Sequence, residues 1–190
     1  SAFRTDSGER DWQIATGNDY PRIGSLSPDG KTVYVSIRDE IWSLDIQTGR
    51  RMNVCKHPFE IMDLVCIPDS SQVATVSKDG RIRIWDPINE TVIREWRGHL
   101  NSAQKIAVSP DGTRFATSGE DMLVHVWGVS DGTETTSFAV NVELESLFLV
   151  DDGNTVVTYG NNQLRFWSIS ERAEITRCSP FPNVSYTVLS

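Results

Sequence analysis

Apolar and polar residues alternate along this chain in short runs: "TVYVSI" at 32–37, "QVATVS" at 72–77, "RFATS" at 114–118 and "TVVTY" at 155–159. Second runs with the same period follow after a turn: "RIRIW" at 81–85, "LVHVW" at 123–127 and "QLRFW" at 163–167. A period of two is the mark of a β-strand, since successive side chains point to opposite faces. Asp29-Gly30, Asp111-Gly112 and Asp152-Gly153 stand before such runs and supply the positive φ that tight hairpins need. A more ragged strand comes next, such as "TVIREW" at 91–96 or "TETTSFAV" at 133–140. No stretch holds an apolar 3.6-residue period over three turns, so almost no helix is expected.

The runs recur as units. "SPDG" at 27–30 returns as "IPDS" at 67–70, "SPDG" at 109–112 and "VDDG" at 150–153, with steps of 40, 42 and 41 residues between Pro28, Pro68, Pro110 and Asp151. A second landmark keeps the same period, with Leu44, Trp85, Trp127 and Trp167 at steps of 41, 42 and 40. Four short antiparallel strands in about 42 residues form a sheet too small to cover both its faces, and stacking such sheets radially buries them against one another. The expected class is all-β: a β-propeller of four-stranded antiparallel blades at about 21–56, 57–97, 98–139 and 140–179. Asp11-Trp12 precedes Pro28 much as Glu95-Trp96 precedes Pro110, which predicts an orphan outer strand at 10–16. "NVSYTVLS" matches "SAQKIAVS" at 102–109 and predicts an orphan inner strand at 183–190. The whole of 1–190 is thus expected to form a single propeller segment, with the remaining blades supplied by flanking sequence or by another chain.

These repeats resemble the WD-repeat family, in the diverged "SPDG" style of bacterial members, and only Trp85-Asp86 keeps the eponymous dipeptide. The resemblance implies one hydrogen-bonded set per blade, made of a histidine, a strand Ser/Thr, a turn Asp and the anchor Trp. The matching sets are His57, Thr75, Asp79, Trp85 and His99, Thr117, Asp121, Trp127. The first repeat departs with Gly17 in the histidine place and Leu44 in the tryptophan place, and the fourth with Val140 and Asn161. By analogy with the family, a closed ring holds about seven blades. Thr117, His99 and Asp121 also have the composition of a nucleophile–base–acid triad. A set closed on an indole leaves the hydroxyl no room for substrate, so no catalytic residue is expected.

Composition narrows the function. The net charge of −8, with Lys and Arg scattered, disfavours nucleic acid and anionic membrane as partners. No apolar run nears the length that spans a bilayer. Three widely spaced cysteines and no cysteine–histidine metal spacing argue for reduced thiols, no metal and no cofactor, in a cytoplasmic setting. The expected function is a non-catalytic scaffold that binds a protein or peptide, alone or as part of a multidomain protein. The alternatives are a lactonase-like propeller enzyme, which would need convergent ligands that the repeats do not supply, and a regulatory or sensory appendage of an enzyme. Just past each histidine loop, chemically different residues occupy equivalent places: Tyr20 and Arg22, Glu60 and Met62, Ser102 and Gln104, Glu143 and Glu145. Variation on a repeating frame suits recognition, and these eight are the candidate partner-binding residues.

Overall fold

The computed structural model describes residues 2–3, 10–12 and 20–178, with the Asp152 side chain left aside. Four four-stranded antiparallel sheets hold most of these residues. The first is Ile23–Leu26, Thr32–Ile37, Glu40–Asp45 and Arg51–Lys56 (β3–β6). The second is Ile61–Cys66, Val73–Ser77, Arg81–Asp86 and Thr91–Arg97 (β7–β10). The third is Ala103–Val108, Arg114–Gly119, Leu123–Gly128 and Glu134–Ala139 (β11–β14). The fourth is Ser146–Val150, Thr155–Gly160, Gln163–Ser168 and Ala173–Cys178 (β15–β18). A short pair, Ala2–Phe3 with Arg10–Trp12 (β1 and β2), stands apart as its own sheet. Of the expected orphan strands, 10–12 therefore pairs with 2–3, residues 13–16 lie outside the described residues, and so does 183–190. Among the described residues the helical content is one turn of 3-10 helix, Asp151–Gly153, at the fourth "PDG" position.

Each sheet is a meander whose strands pair in chain order. The "SPDG" motif builds its first turn. Ser27 donates its hydroxyl to Asp29 at 2.6 Å and accepts the Thr32 amide at 2.9 Å, while Asp29 accepts the Lys31 amide at 3.0 Å. Ser109 and Asp111 repeat these bonds with Thr113 and Arg114. Gly30 and Gly112 close both turns with φ of 70° and 68°, a conformation that favours glycine. The first connection (strand one to two) and the third (three to four) consequently lie at one end of every sheet. The second turns and the loops between sheets lie at the other.

The sheets pack in chain order through their first strands, β3 on β7, β7 on β11 and β11 on β15, and no packing of comparable extent joins the fourth sheet to the first. Three apolar layers fill the gaps. Between the second and third sheets, Ala74, Val76, Ile82 and Ile84 meet Ala103, Phe115 and Trp127. In every gap the anchor tryptophan turns toward the preceding sheet: Trp85 joins the layer with Tyr34 and Ile41, and Trp167 joins that with Val124 and Val126. Leu44, at the anchor position of the first sheet, clusters with Ile37 and Trp42 on the face away from the second. Side chains bolt the layers together. Ser25 accepts the Cys66 amide and Asp63 accepts the Ile106 amide, both at 3.0 Å, along the inner strands. On the outer strands, Asn53 donates to the Ile88 carbonyl at 3.2 Å and Arg94 to the Val129 carbonyl at 3.0 Å.

Phe115 is fully buried at the centre of its layer. Phe115→Ala should destabilise the fold by about 3–5 kcal/mol through lost transfer energy and the cavity left behind. Leu26→Ala, on a half-exposed side chain, should change the urea midpoint little; equal losses would contradict the layered packing.

Candidate functional site

The histidine-bearing loops and the second turns share one end of the sheets, and the third sheet shows how they are joined. Trp127 Nε1–H donates to Thr117 Oγ1 at 2.9 Å, the Thr117 hydroxyl to His99 Nε2 at 2.9 Å, and His99 Nδ1–H to Asp121 at 2.9 Å. Asp121 also accepts the Leu100 and Leu123 amides, each at 3.2 Å. Every donor has one acceptor, so the chain can close only in this order. Gly119 lies directly under the ring: a Cβ there would stand 2.6 Å from His99 Nδ1.

The second sheet corrects the expected set. Trp85 donates to Thr75 at 3.1 Å and Thr75 lies 3.3 Å from His57 Nε2, but His57 Nδ1 turns to the Phe59 carbonyl at 2.7 Å. Asp79 does not reach His57. It is held by Arg83, whose two terminal nitrogens meet its carboxylate at 2.6 and 3.2 Å, and it accepts the Ser77 hydroxyl. Arg83, 3% exposed, also donates to Ser77 and Glu95 and comes within 3.5 Å of His57 Nε2. Strand parity places Arg83 on the same buried side as Trp85, a signal present in the sequence. The fourth sheet keeps a remnant, with Trp167 donating to Thr158 at 3.0 Å, although Val140 replaces the histidine. In the first sheet Val35 and Trp42 stand where Thr75 and Arg83 stand in the second. The full four-membered chain therefore occurs once among the described residues.

Thr117, His99 and Asp121 do carry the spacing of a catalytic triad. The Thr117 oxygen is nonetheless completely buried and occupied by the indole N–H, so no substrate carbonyl can approach it. His99, Asp121 and His125 bring ligand atoms within 4.8 Å of one another, close enough for a metal. Both ring nitrogens of His99 are already bonded and His125 Nδ1 lies 3.0 Å from Glu134, so an ion would have to displace protein partners. Burial lowers the pKa of His57 to about 4, helped by the Arg83 charge, and also lowers that of His99 despite Asp121. Burial opposes the charge of Asp79, yet Arg83, Ser77 and the Arg81 amide hold its carboxyl down at about 2.

The eight candidate contact residues are unlike in exposure. Tyr20 is 87% exposed. Arg22 donates to Met62 Sδ at 3.0 Å and pairs with Glu60 at 3.6 Å, while Lys78 also pairs with Glu60 and lowers its pKa. Ser102 is buried, so its side chain is a wall rather than a contact, and Gln104 bonds Ser102 and Glu120. Glu143 and Glu145 line a shallow hollow with Asn161. Sequence reasoning missed three exposed apolar side chains at this same end: Phe59 (51%), Leu100 (73%) and Met122 (49%). Leu100 directly follows the loop histidine His99 and Phe59 comes two residues after His57, so the histidine landmark could have found both.

His99→Ala should destabilise the fold by about 1–3 kcal/mol in urea denaturation, because Thr117 and Asp121 lose a buried partner. Gly119→Ala should also destabilise it, although it removes no hydrogen bond. The pH dependence has two opposing parts. His57 is neutral when folded, so its contribution is complete above its ordinary value of 6.5 and is lost as pH falls toward about 4. Asp63 is pushed by burial from 3.8 up to about 6, so its contribution is present below 3.8 and lost as pH rises through 6. Asp63→Asn should therefore steepen the loss of stability between pH 6 and 4, and an unchanged slope would exclude Asp63 as the opposing group.

The family model described as "WD domain, G-beta repeat" matches residues 49–86 and 90–128. The chain is also similar to "Protein groucho" of Drosophila melanogaster, 31% identical over 134 residues, which is 68% of this chain and 18% of that protein. It thus spans under a fifth of the length of that curated relative. Each matched repeat begins at the outer strand of one sheet and ends on the third strand of the next, which is the connection that binds neighbouring sheets here. Residues 49–86 and 90–128 are two adjacent WD repeats.

Proposed function

We propose that this protein is a non-catalytic scaffold that binds a protein or peptide across the end carrying the histidine loops. The observation that carries the reading is the row of exposed apolar side chains there: Tyr20, Phe59, Leu100 and Met122. Tyr20 and Phe59 precede the first and second sheets and Leu100 and Met122 both belong to the third, all on loops that the rigid frame holds in place, and aromatic and Met side chains are enriched in protein interfaces. Charge is graded across this end. Arg22 and Lys78 stand beside Glu60 near the first and second sheets, and Glu143 and Glu145 lie on the fourth. A partner with a neutral or basic segment over the fourth sheet fits that gradient, and the net charge of −8 favours it over nucleic acid. The walled-in Thr117 hydroxyl supports a role without turnover. The open array of sheets supports membership of a larger ring, completed by further blades of a longer protein or by another chain.

A photo-crosslinking residue placed at Leu100 should capture a partner, and the same residue at Ile175, exposed on the outer strand of the fourth sheet, should not. On the captured partner, Tyr20→Ala should weaken binding by more than about 1 kcal/mol, a usual threshold for an anchor. Glu143→Gln should mainly slow association, since rim charges act on approach more than on affinity. Equal capture from both positions, or binding indifferent to both substitutions, would place the interface elsewhere.

A further inference from the structure

A cleft of about 690 Å³ opens between the first and second sheets at the opposite end, beside the "SPDG" turns. The first sheet departs from the repeat beside it. In the second and third sheets, the cross-strand pair that faces the next layer is Ala74–Ile84 and Ala116–Val126, and Val157–Phe166 holds the same place in the fourth. In the first sheet the same pair is Tyr34–Ser43: the Tyr34 ring joins the layer with Ile41 and Trp85, and a hydroxymethyl group stands where the branched side chain of Ile84 or Val126 stands elsewhere. On the outer strand, Cys55 stands where Trp96 and Phe138 stand in the next two sheets. Cys55 is itself fully buried, its thiol 3.7 Å from the carbonyl of Pro87, which lines the cleft.

Polar groups stand in the cleft beside an apolar lining that includes Pro28, Met52, Pro87 and Ile88. Ser43 is 4% exposed and its Oγ has no hydrogen-bond partner among the described residues, an uncommon state for a buried hydroxyl. The Tyr34 hydroxyl, kept protonated by burial that raises its pKa to about 12, makes no hydrogen bond among the described residues. Asn53 spends its amide nitrogen on the Ile88 carbonyl and on Glu90, which leaves its oxygen as an acceptor. Two carboxylates, Asp29 and Asp69, stand in the lining, Asp69 with no ion pair among the described residues, and no Lys, Arg or His is among the lining residues. Met52 supplies an apolar wall. The set is rich in acceptors and acid, with an aliphatic flank.

We propose that this cleft is a second binding site, one that takes an arginine side chain of a partner peptide. A guanidinium carries five N–H donors and no acceptor in a planar fork. It therefore answers several separated oxygens at once: Ser43 Oγ, the Tyr34 hydroxyl and Asn53 Oδ1 inside, and the two carboxylates. Its methylene stem matches Met52. An ammonium delivers its charge at a point and satisfies fewer of them. The site lies at the far end of the sheets from Tyr20, so the two readings stand or fall separately.

The test is a titration of the labelled 190-residue chain with acetyl-Gly-Arg-Gly-amide, followed by amide ¹H–¹⁵N spectra, alongside the lysine and citrulline versions. The arginine peptide should give saturable shifts at Ser43, Asn53 and Asp69, with the uncharged citrulline peptide at least about tenfold weaker. Ser43→Ile, which restores the residue type of the second sheet, should abolish binding and raise the melting temperature. Asp69→Asn, on an exposed side chain that leaves the core intact, should weaken it severalfold. Tyr20→Ala should leave it unchanged. No saturable shift, equal binding of citrulline or lysine, or binding that survives both Ser43→Ile and Asp69→Asn would overturn the assignment and leave a water-filled cleft.

Discussion

A sheet with two apolar faces cannot stand in water alone. In the second sheet, β8 is buried at all five positions and the four central residues of β9 are buried as well, so neither face is free for solvent. Everything else in the molecule answers that requirement. The neighbouring layers, the tryptophan that reaches back into the preceding gap, and the bolts from Ser25, Asp63, Asn53 and Arg94 all hold one sheet against the next. The burial is non-directional and carries most of the stability, whereas the bolts fix the register in which the layers meet.

The chain from Trp127 to Asp121 shows how polar groups are admitted to such an interior. Each loses water and regains one partner, so the arrangement is stable only when complete. The second sheet solves the same problem differently. Its histidine finishes on the Phe59 carbonyl, and its aspartate is neutralised by a buried guanidinium. A charged pair with several hydrogen bonds replaces a neutral ring against a carboxylate, and His57 is held uncharged beside Arg83. One sequence motif thus supports two electrostatic solutions within one protein.

Much of this was legible in the residues, because the signals that mark strands and turns are local. The alternation in "TVYVSI" and "RIRIW", and the Asp-Gly turns, depend on neighbours two to four positions away. The linkage of Trp127, Thr117, His99 and Asp121 followed from the resemblance and is drawn by the structure as expected. The second set failed at Asp79, because Arg83 competes for the carboxylate across a hairpin and a motif that names four positions does not weigh a fifth. The burial of Ser102 also escaped, since its exposure depends on how the loop folds over the turn bearing Glu120, whose amide bonds the Ser102 carbonyl. The first–second gap is a property of two sheets at once. Ser43 looks like an ordinary polar strand residue until Ile84, Val126 and Phe166 are seen in its place elsewhere.

Because each anchor tryptophan points backward, the two sides of every layer are chemically unlike. The side that receives the indole is built from residues such as Val124, Val126 and Phe138, and the side that delivers it from Trp167, Leu147 and Val156. Such a surface is complementary to its opposite and not to itself. Sheets of this kind can be joined only head to tail, never face to face about a two-fold axis. The fixed turn at each junction then decides whether a row of them closes on itself or continues as a spiral.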